Sequence, residues 1–275
     1  SVINLGGRNC FSASTTGFNT GLGLEALANI SNGNSNTAFG YQALQNASST
    51  RENTAIGHMA LQGTNTGAFS GIQNVAVGNY ALASSTSGNS NTALGYKALS
   101  ANTTGSLNTS VGLETLRRNT TGASNTVVGR LALSSNTTGG ENDAFGVNAL
   151  LMNVTGTSNV ALGSGASYNN AAATNTVAIG TSAAGSAIGS AYYSQGYVAV
   201  GYFAGRSFLS GSEYNTLFGY QSGYNITTGQ RNILIGPSVT VNNLTTGSGN
   251  IGIGDDLQFQ SATANSQLNI GGLLF

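Results

Sequence analysis

Charge is what this sequence has least of. Acidic and basic residues together make up 6% of it, against about 25% in an average soluble domain. The eight basic and eight acidic side chains cancel. That excludes the basic stripe with which a nucleic-acid binder displaces counterions, and it excludes electrostatic docking on an anionic membrane. Cysteine occurs once, at Cys10, so neither an intrachain disulfide nor a cysteine-based zinc site can form. Proline also occurs once, and tryptophan never. The sequence holds no run of about eighteen apolar residues, so no helix is expected to span a bilayer. No charged-then-apolar leader opens the chain. Its first residues read as the middle of a pattern, as in a piece of something longer.

Glycine is abundant, at 41 of 275 residues. A polar, glycine-rich composition is compatible with disorder, but 39% of the residues are hydrophobic and they are regularly spaced. The regularity is a repeat. Aligned on a closing glycine, the copies run "VINLG" (Gly6), "TGLG" (Gly23), "TAFG" (Gly40), "TAIG" (Gly57), "VAVG" (Gly78) and so on to "LNIG" (Gly271), sixteen in all. Eleven of the fifteen intervals are 17 residues, two are 18 and two are 21. The wider coils are 57–78 and 180–201. A fixed period of this length marks a repeat architecture.

Each unit has three parts. Asn-Thr-Ala-Φ-Gly, with Φ a Leu, Ile, Val or Phe, reads as a short strand. An Ala-Leu pair follows three and four residues later, as at Ala43–Leu44 and Ala98–Leu99. Then comes a turn, often Asn-Thr-Thr-Gly, as at 102–105, 119–122 and 136–139; these residues accept positive φ or bond their own backbone. Seventeen residues are too few for a strand, a helix and their connections. They suit two short strands and two turns, stacked into a parallel β-solenoid. Sixteen such coils would stack to about 75 Å at the strand spacing. The ends of the stack should need covers, and none is obvious at Ser1 or Phe275.

Alternate side chains of a strand face opposite ways. Thr and Φ share one face, Asn and Ala the other. The expected arrangement puts the large residues Phe39, Ile56, Leu94, Phe145 and Ile179 in the coil interior, and the small Ala38, Ala55, Ala93, Ala144 and Ala178 outside. Either way round, both faces need cover. A thin coil cannot supply the second cover itself, which predicts lateral association of several chains. The recurrent asparagines (Asn19, Asn36, Asn53, Asn74, Asn91 and onward) fit two readings: a side-chain ladder running from coil to coil, or plain strand starts after turns.

"NTAFGYQAL" (36–44), "NTALGYKAL" (91–99) and "NTTGASNTVVG" (119–129) resemble the head repeats of trimeric autotransporter adhesins. They are still more similar to repeats of bacteriophage tail fibres and tail-fibre-like bacterial adhesive fibres. The resemblance spans nearly the whole chain. It implies an all-β, left-handed β-roll assembled as a parallel homotrimer, displayed outside the cell or on a virion, and adhering to a cell surface, often through glycans. The repeat domain covers 1–271. The terminal stretch 255–275, ending "SQLNIGGLLF", resembles the segment that precedes a tip or chaperone domain in such fibres. The 17-residue period is longer than that of the adhesin heads, and no coiled-coil stalk or anchor is present, so phage and bacterial parentage both stand.

The chemical candidates are sparse. Glycoside hydrolysis needs two carboxylates across a cleft. Only Glu141 with Asp143, and Asp255 with Asp256, lie close in sequence, and both pairs sit at turns. His58 is the single histidine and has no evident catalytic or metal partner. Cys10 reads as a small apolar filler. No enzyme activity, cofactor, metal or nucleic-acid partner is expected, and the Asn-Thr-Thr sequons read as turn composition. The second wide coil and its successors are different: seven of the eleven tyrosines lie between Tyr192 and Tyr224. Tyrosine joins an apolar face to a hydroxyl and suits sugars, subunit contacts or plain filling. Tyr192, Tyr193, Tyr197 and Tyr202 are the candidate ligand-binding residues. Arg117 and Arg118, with Arg130, are a second candidate group, suited to acidic sugars or simply to a solvated face. Two further readings are a polysaccharide-depolymerising tailspike segment and an ice-binding solenoid. The latter needs a flat exposed threonine array. The file Thr20, Thr37, Thr54, Thr92, Thr109 and Thr126 lapses in other coils and shares the face assigned to the interior.

Overall fold

The computed structural model describes residues 2–5, 8–13, 17–64, 69–185, 191–240 and 244–274. Among them there is no helix. The chain divides into two units, 1–138 and 139–275. In the first, β1 (Val2–Leu5) and β2 (Arg8–Ala13) precede seven three-residue strands: β3 (Thr20–Leu22), β4 (Thr37–Phe39), β5 (Thr54–Ile56), β6 (Val75–Val77), β7 (Thr92–Leu94), β8 (Thr109–Val111) and β9 (Thr126–Val128). The second holds β10 (Asp143–Phe145), β11 (Val160–Leu162), β12 (Val177–Ile179), β13 (Val198–Val200), β14 (Thr216–Phe218), β15 (Ile233–Ile235), β16 (Ile251–Ile253), β17 (Leu268–Ile270) and the short β18 (Leu273–Leu274).

Within each unit every strand from β3 to β17 pairs in parallel with the next, one repeat on. Thr37 lies beside Thr54, Ala38 beside Ala55 and Phe39 beside Ile56; Val160, Ala161 and Leu162 lie beside Val177, Ala178 and Ile179. Fifteen of the sixteen sequence copies thus form parallel β-solenoid turns, seven in the first unit and eight in the second. The copy at Gly6 does not, because its strand β1 pairs antiparallel with β2. The expectation of open ends is corrected as well. β2 runs antiparallel along β3, and β18 runs antiparallel along β17. Reversing the chain at each end puts a strand against ladder groups that another coil would otherwise bond.

Each coil carries one regular strand rather than two. The Ala-Leu segment curls because alternate residues are left-handed: φ is 55° at Gln42 and 51° at Leu44. Its backbone still bonds neighbouring coils, with Gln42 N–H donating to Leu24 O at 2.9 Å and Leu44 N–H to Ala60 O at 3.0 Å. Asn46 N–H follows Leu44 in donating to the coil after, to Gln62 O at 2.9 Å. The glycine that closes most of the strands is required twice over. Gly57 has φ 132°, and a Cβ there would lie 2.7 Å from the backbone of Gly78 in the next coil.

The two strand faces are the reverse of the expected ones. Ala38, Ala55, Ala93, Ala144 and Ala178 are fully buried, while Phe39, Ile56, Leu94 and Phe145 are each more than a third exposed. Ile179 is half-buried. The reason is the width of the coil. The leucine of the Ala-Leu pair is buried, as expected, and reaches across to the strand. In the first coil, where glycine replaces the inner alanine, a Cβ on Gly21 would touch Leu27 Cδ1 at 3.0 Å. A methyl group therefore fits at the inner strand position in most coils, and the larger side chains face out; Val127 is a buried exception. The second unit makes the converse exchange. Where the inner position grows to Leu217, the facing residue shrinks to Gly223, whose Cβ would meet Leu217 Cδ2 at 2.9 Å. Phe208 and Ile226 fill the remaining space beside Gly205 and Gly223.

The asparagines form the ladder, and they are buried. Asn91 Nδ2 donates to Asn74 Oδ1 (3.1 Å) and to Gly105 O (2.9 Å), while its Oδ1 accepts from Asn108 N–H (3.0 Å) and Asn108 Nδ2 (3.1 Å). The same pattern links Asn36, Asn53 and Asn74, and in the second unit Asn215, Asn232 and Asn250. A second ladder occupies the Asn-Thr-Thr turns: Asn119 Nδ2 donates to Asn102 Oδ1 at 2.8 Å, and Asn136 Nδ2 to Asn119 Oδ1 at 2.7 Å. These sequon asparagines are fully buried in the folded chain.

Two predictions follow from this packing. Asn91→Ala removes four buried hydrogen bonds and orphans the Asn108 amide, so it should cost about 2–4 kcal/mol in denaturant unfolding; a loss of a few tenths would contradict the ladder's role. Leu107 sits exposed at φ 62°, a position that is serine in the adjacent coils (Ser90 and Ser124). Leu107→Asn should stabilise by about 0.5–1 kcal/mol, since asparagine tolerates the left-handed region, and a lowered unfolding midpoint would contradict this.

Candidate functional site

The two wide coils each return to register through a buried aromatic ring. Phe69 pairs with Ala47 in the first unit and Tyr192 with Asn170 in the second, and both rings are buried. Residues 65–68 and 186–190 of these coils lie outside the described residues, as does the side chain of Cys10.

Of the four candidate tyrosines, two face in and two face out. Tyr192 and Tyr197 are buried, so a ligand in solution reaches neither ring. The Tyr192 hydroxyl donates to Ala184 O. The Tyr197 hydroxyl shares a 2.6 Å hydrogen bond with Ser167 Oγ, and its ring meets Phe208 edge-on at 5.4 Å. Here Ser167 and Ala184 stand where most coils have leucine, and the two tyrosines supply the missing volume. Burial pushes the Tyr192 phenol well above its ordinary value, and neighbouring Tyr197 adds to the shift.

Tyr193 is 60% exposed. Tyr202 is exposed too, but its faces are in use: it stacks on Phe203 at 4.0 Å and on Tyr220 at 5.5 Å with 9° between the rings. The Arg206 guanidinium lies over Phe203 at 5.3 Å. Arg117 is drawn to Glu114, with Nε 3.7 Å from Oε2. Arg118 is exposed. These two follow Gly112 by five and six residues, whereas Arg130 directly follows Gly129. The three therefore lie in different columns of the solenoid.

A column of rings in the first unit escaped the sequence reading. Tyr41 stacks on His58 at 5.3 Å, His58 meets Tyr80 edge-on at 5.0 Å, and Tyr80 meets Tyr96 edge-on at 6.5 Å. Lys97 Nζ lies 5.1 Å over Tyr96. The signal was available, since each ring follows a closing glycine by one or two residues. Among the described residues, no three His, Cys, Asp or Glu side chains gather as a metal site. The chain matches no known protein family, no curated protein and no solved structure.

Tyr192 gives the fold an alkaline limit. A phenol favoured in its neutral form keeps its proton longer in the folded chain than in the unfolded one. Its contribution is complete below the unfolded value near 10 and is lost as pH rises toward the higher folded value. In urea unfolding between about pH 9 and pH 11, Tyr192→Phe should lose less stability than the parent chain; identical pH slopes would contradict the assignment.

Proposed function

We propose that this chain is a structural and adhesive segment of a homotrimeric surface or tail fibre, acting outside the cell or on a virion, with no catalytic step of its own. One observation carries the reading: the outward strand face. In the first unit Leu22, Phe39, Ile56 and Leu94 stand on it, each 38–48% exposed. In the second, Val160, Ile233 and Ile251 stand in one outward column, interrupted by Asp143 and Thr216, beside Leu162, Ile235, Ile253 and Ile270 in the other. Parallel sheets are covered on both faces, and apolar patches of this kind mark interaction surfaces. Identical chains side by side in the same direction would cover each other's strips, with coil matched to coil. The resemblance of the repeats supplies the number three and the left-handed winding. A closed cyclic assembly has no unpaired interface left over. Three copies of any weak surface contact then act with avidity.

The reversed faces also lend support to a second reading, an ice-binding solenoid. Thr37, Thr54, Thr92, Thr109 and Thr126 lie on the outward face of the first unit, each only half-buried. The two readings compete for the same surface. The fibre reading predicts a solution mass of three times 27.5 kDa and no thermal hysteresis. It also predicts that Ile235→Glu with Ile253→Glu, which puts charge on two adjacent strands of the strip, drops the mass to that of one chain. A well-folded single chain in the unmodified protein would sink the fibre reading, and thermal hysteresis from that chain would replace it with the second.

A further inference from the structure

We infer that one edge of the second unit, built from Tyr193, Gln195, Glu213, Tyr214 and Arg231, is a binding site for a neutral saccharide. The site rests on the adhesive half of the proposed function and is independent of the trimer.

Three successive coils bring these residues together through their backbones. Gly211 N–H donates to Tyr193 O at 3.1 Å, Tyr214 N–H to Gln195 O at 3.1 Å, and Arg231 N–H to Glu213 O at 3.0 Å. The residues therefore sit on rigid, hydrogen-bonded coil edges rather than on a free loop. Tyr214 is fixed in place. Its ring lies across Gly196, where a Cβ would come within 2.6 Å of Tyr214 Cδ1 and 2.7 Å of Cε1. Any residue but glycine at 196 would lift the ring. The Arg231 guanidinium lies over the same ring, 5.4 Å from its centroid. Gln195 Nε2 donates to the Tyr214 hydroxyl at 3.4 Å, which leaves that hydroxyl's own proton to donate elsewhere.

The chemistry these groups offer is specific in kind. Tyr193 is 60% exposed and, among the described residues, takes part in no ring–ring or cation–ring contact. This distinguishes it from Tyr202, whose stacking partners cover its faces. A free aromatic face beside polar groups matches the two sides of a pyranose, C–H groups axially and hydroxyls around the rim. The rim partners are a carboxylate (Glu213), a guanidinium (Arg231), an amide (Gln195) and a phenol (Tyr214). Together they can accept from and donate to adjacent hydroxyls. Arg231 makes one weak side-chain hydrogen bond, from Nη1 to Gln230 Oε1 at 3.3 Å, which leaves further donors for a ligand. Because Glu213 and Arg231 cancel, the edge has no net charge with which to select an anion. The ligand class is therefore a neutral sugar, and its binding should be insensitive to salt.

The test uses the full chain on an array of neutral and uronic-acid-bearing oligosaccharides, at low and high salt. The expected result is salt-independent binding to neutral members, weakened at least about tenfold by Tyr193→Ala and by Arg231→Ala. Tyr202→Ala should leave it unchanged, and circular dichroism should be that of the parent. Binding that survives Tyr193→Ala and Arg231→Ala overturns this site while leaving adhesion in place. Binding confined to uronic-acid members and lost at high salt overturns the neutral-sugar assignment. No binding to any member overturns both the site and the adhesive half of the proposed function, whatever the solution mass.

Discussion

Everything in this chain depends on one hydrogen-bonding constraint: each coil must satisfy the polar groups of the next at a fixed offset. The backbone does most of this, and the buried asparagine completes it. Its amide is both donor and acceptor, so a single side chain can bond the asparagine before it, the asparagine after it and a turn carbonyl. No apolar residue of similar size could stand there, because the strand-start amide would be left without a partner inside the coil. The period is the length of chain that brings one asparagine under the next. The first wide coil leaves the ladder intact, whereas at the second the column passes through Thr176 and Tyr197 before resuming at Asn215. Across the first wide coil, Asn74 still donates to Asn53 at 3.1 Å.

A coil held this tightly is narrow, and the narrowness governs which side chains go where. A leucine from the curled segment and a methyl from the strand fill the ordinary interior. Larger inner residues occur at Val127, still opposite Leu133, and at Leu217, where the opposite wall is thinned to Gly223. The second unit repeats this exchange with aromatic rings, so its cluster of tyrosines is in part a packing solution. The aliphatic residues displaced from the interior cover the outward face. The apolar strip is thus the other side of the rule that keeps alanine inside.

How far the sequence reached can be judged from particular residues. The repeat, the strand at each copy and the buried leucine follow from spacing alone, and the structure has them. The asparagine ladder was one of two open readings, and burial decides for it. Tyr192 and Tyr193 show where spacing fails. They are adjacent and identical in type, yet one is a core pillar and the other stands 60% exposed, because neighbours along an extended backbone point opposite ways. Their orientation could not be read from a wide coil whose register is set by its neighbours. Gly196, Tyr214 and Arg231 looked like unrelated turn residues until stacked coils set one beside the next.

The sequence by itself determined the period, the strand that recurs with it and the residues that stack upon one another. These are properties of order along the chain, and a fixed repeat transmits them without loss. Only the tertiary structure decided which face is inside. Thr-Φ and Asn-Ala alternate identically whichever way a strand is turned, and both sets carry apolar groups. The choice is made when the coil closes and a leucine arrives from the far wall, leaving room in most coils for little more than a methyl group.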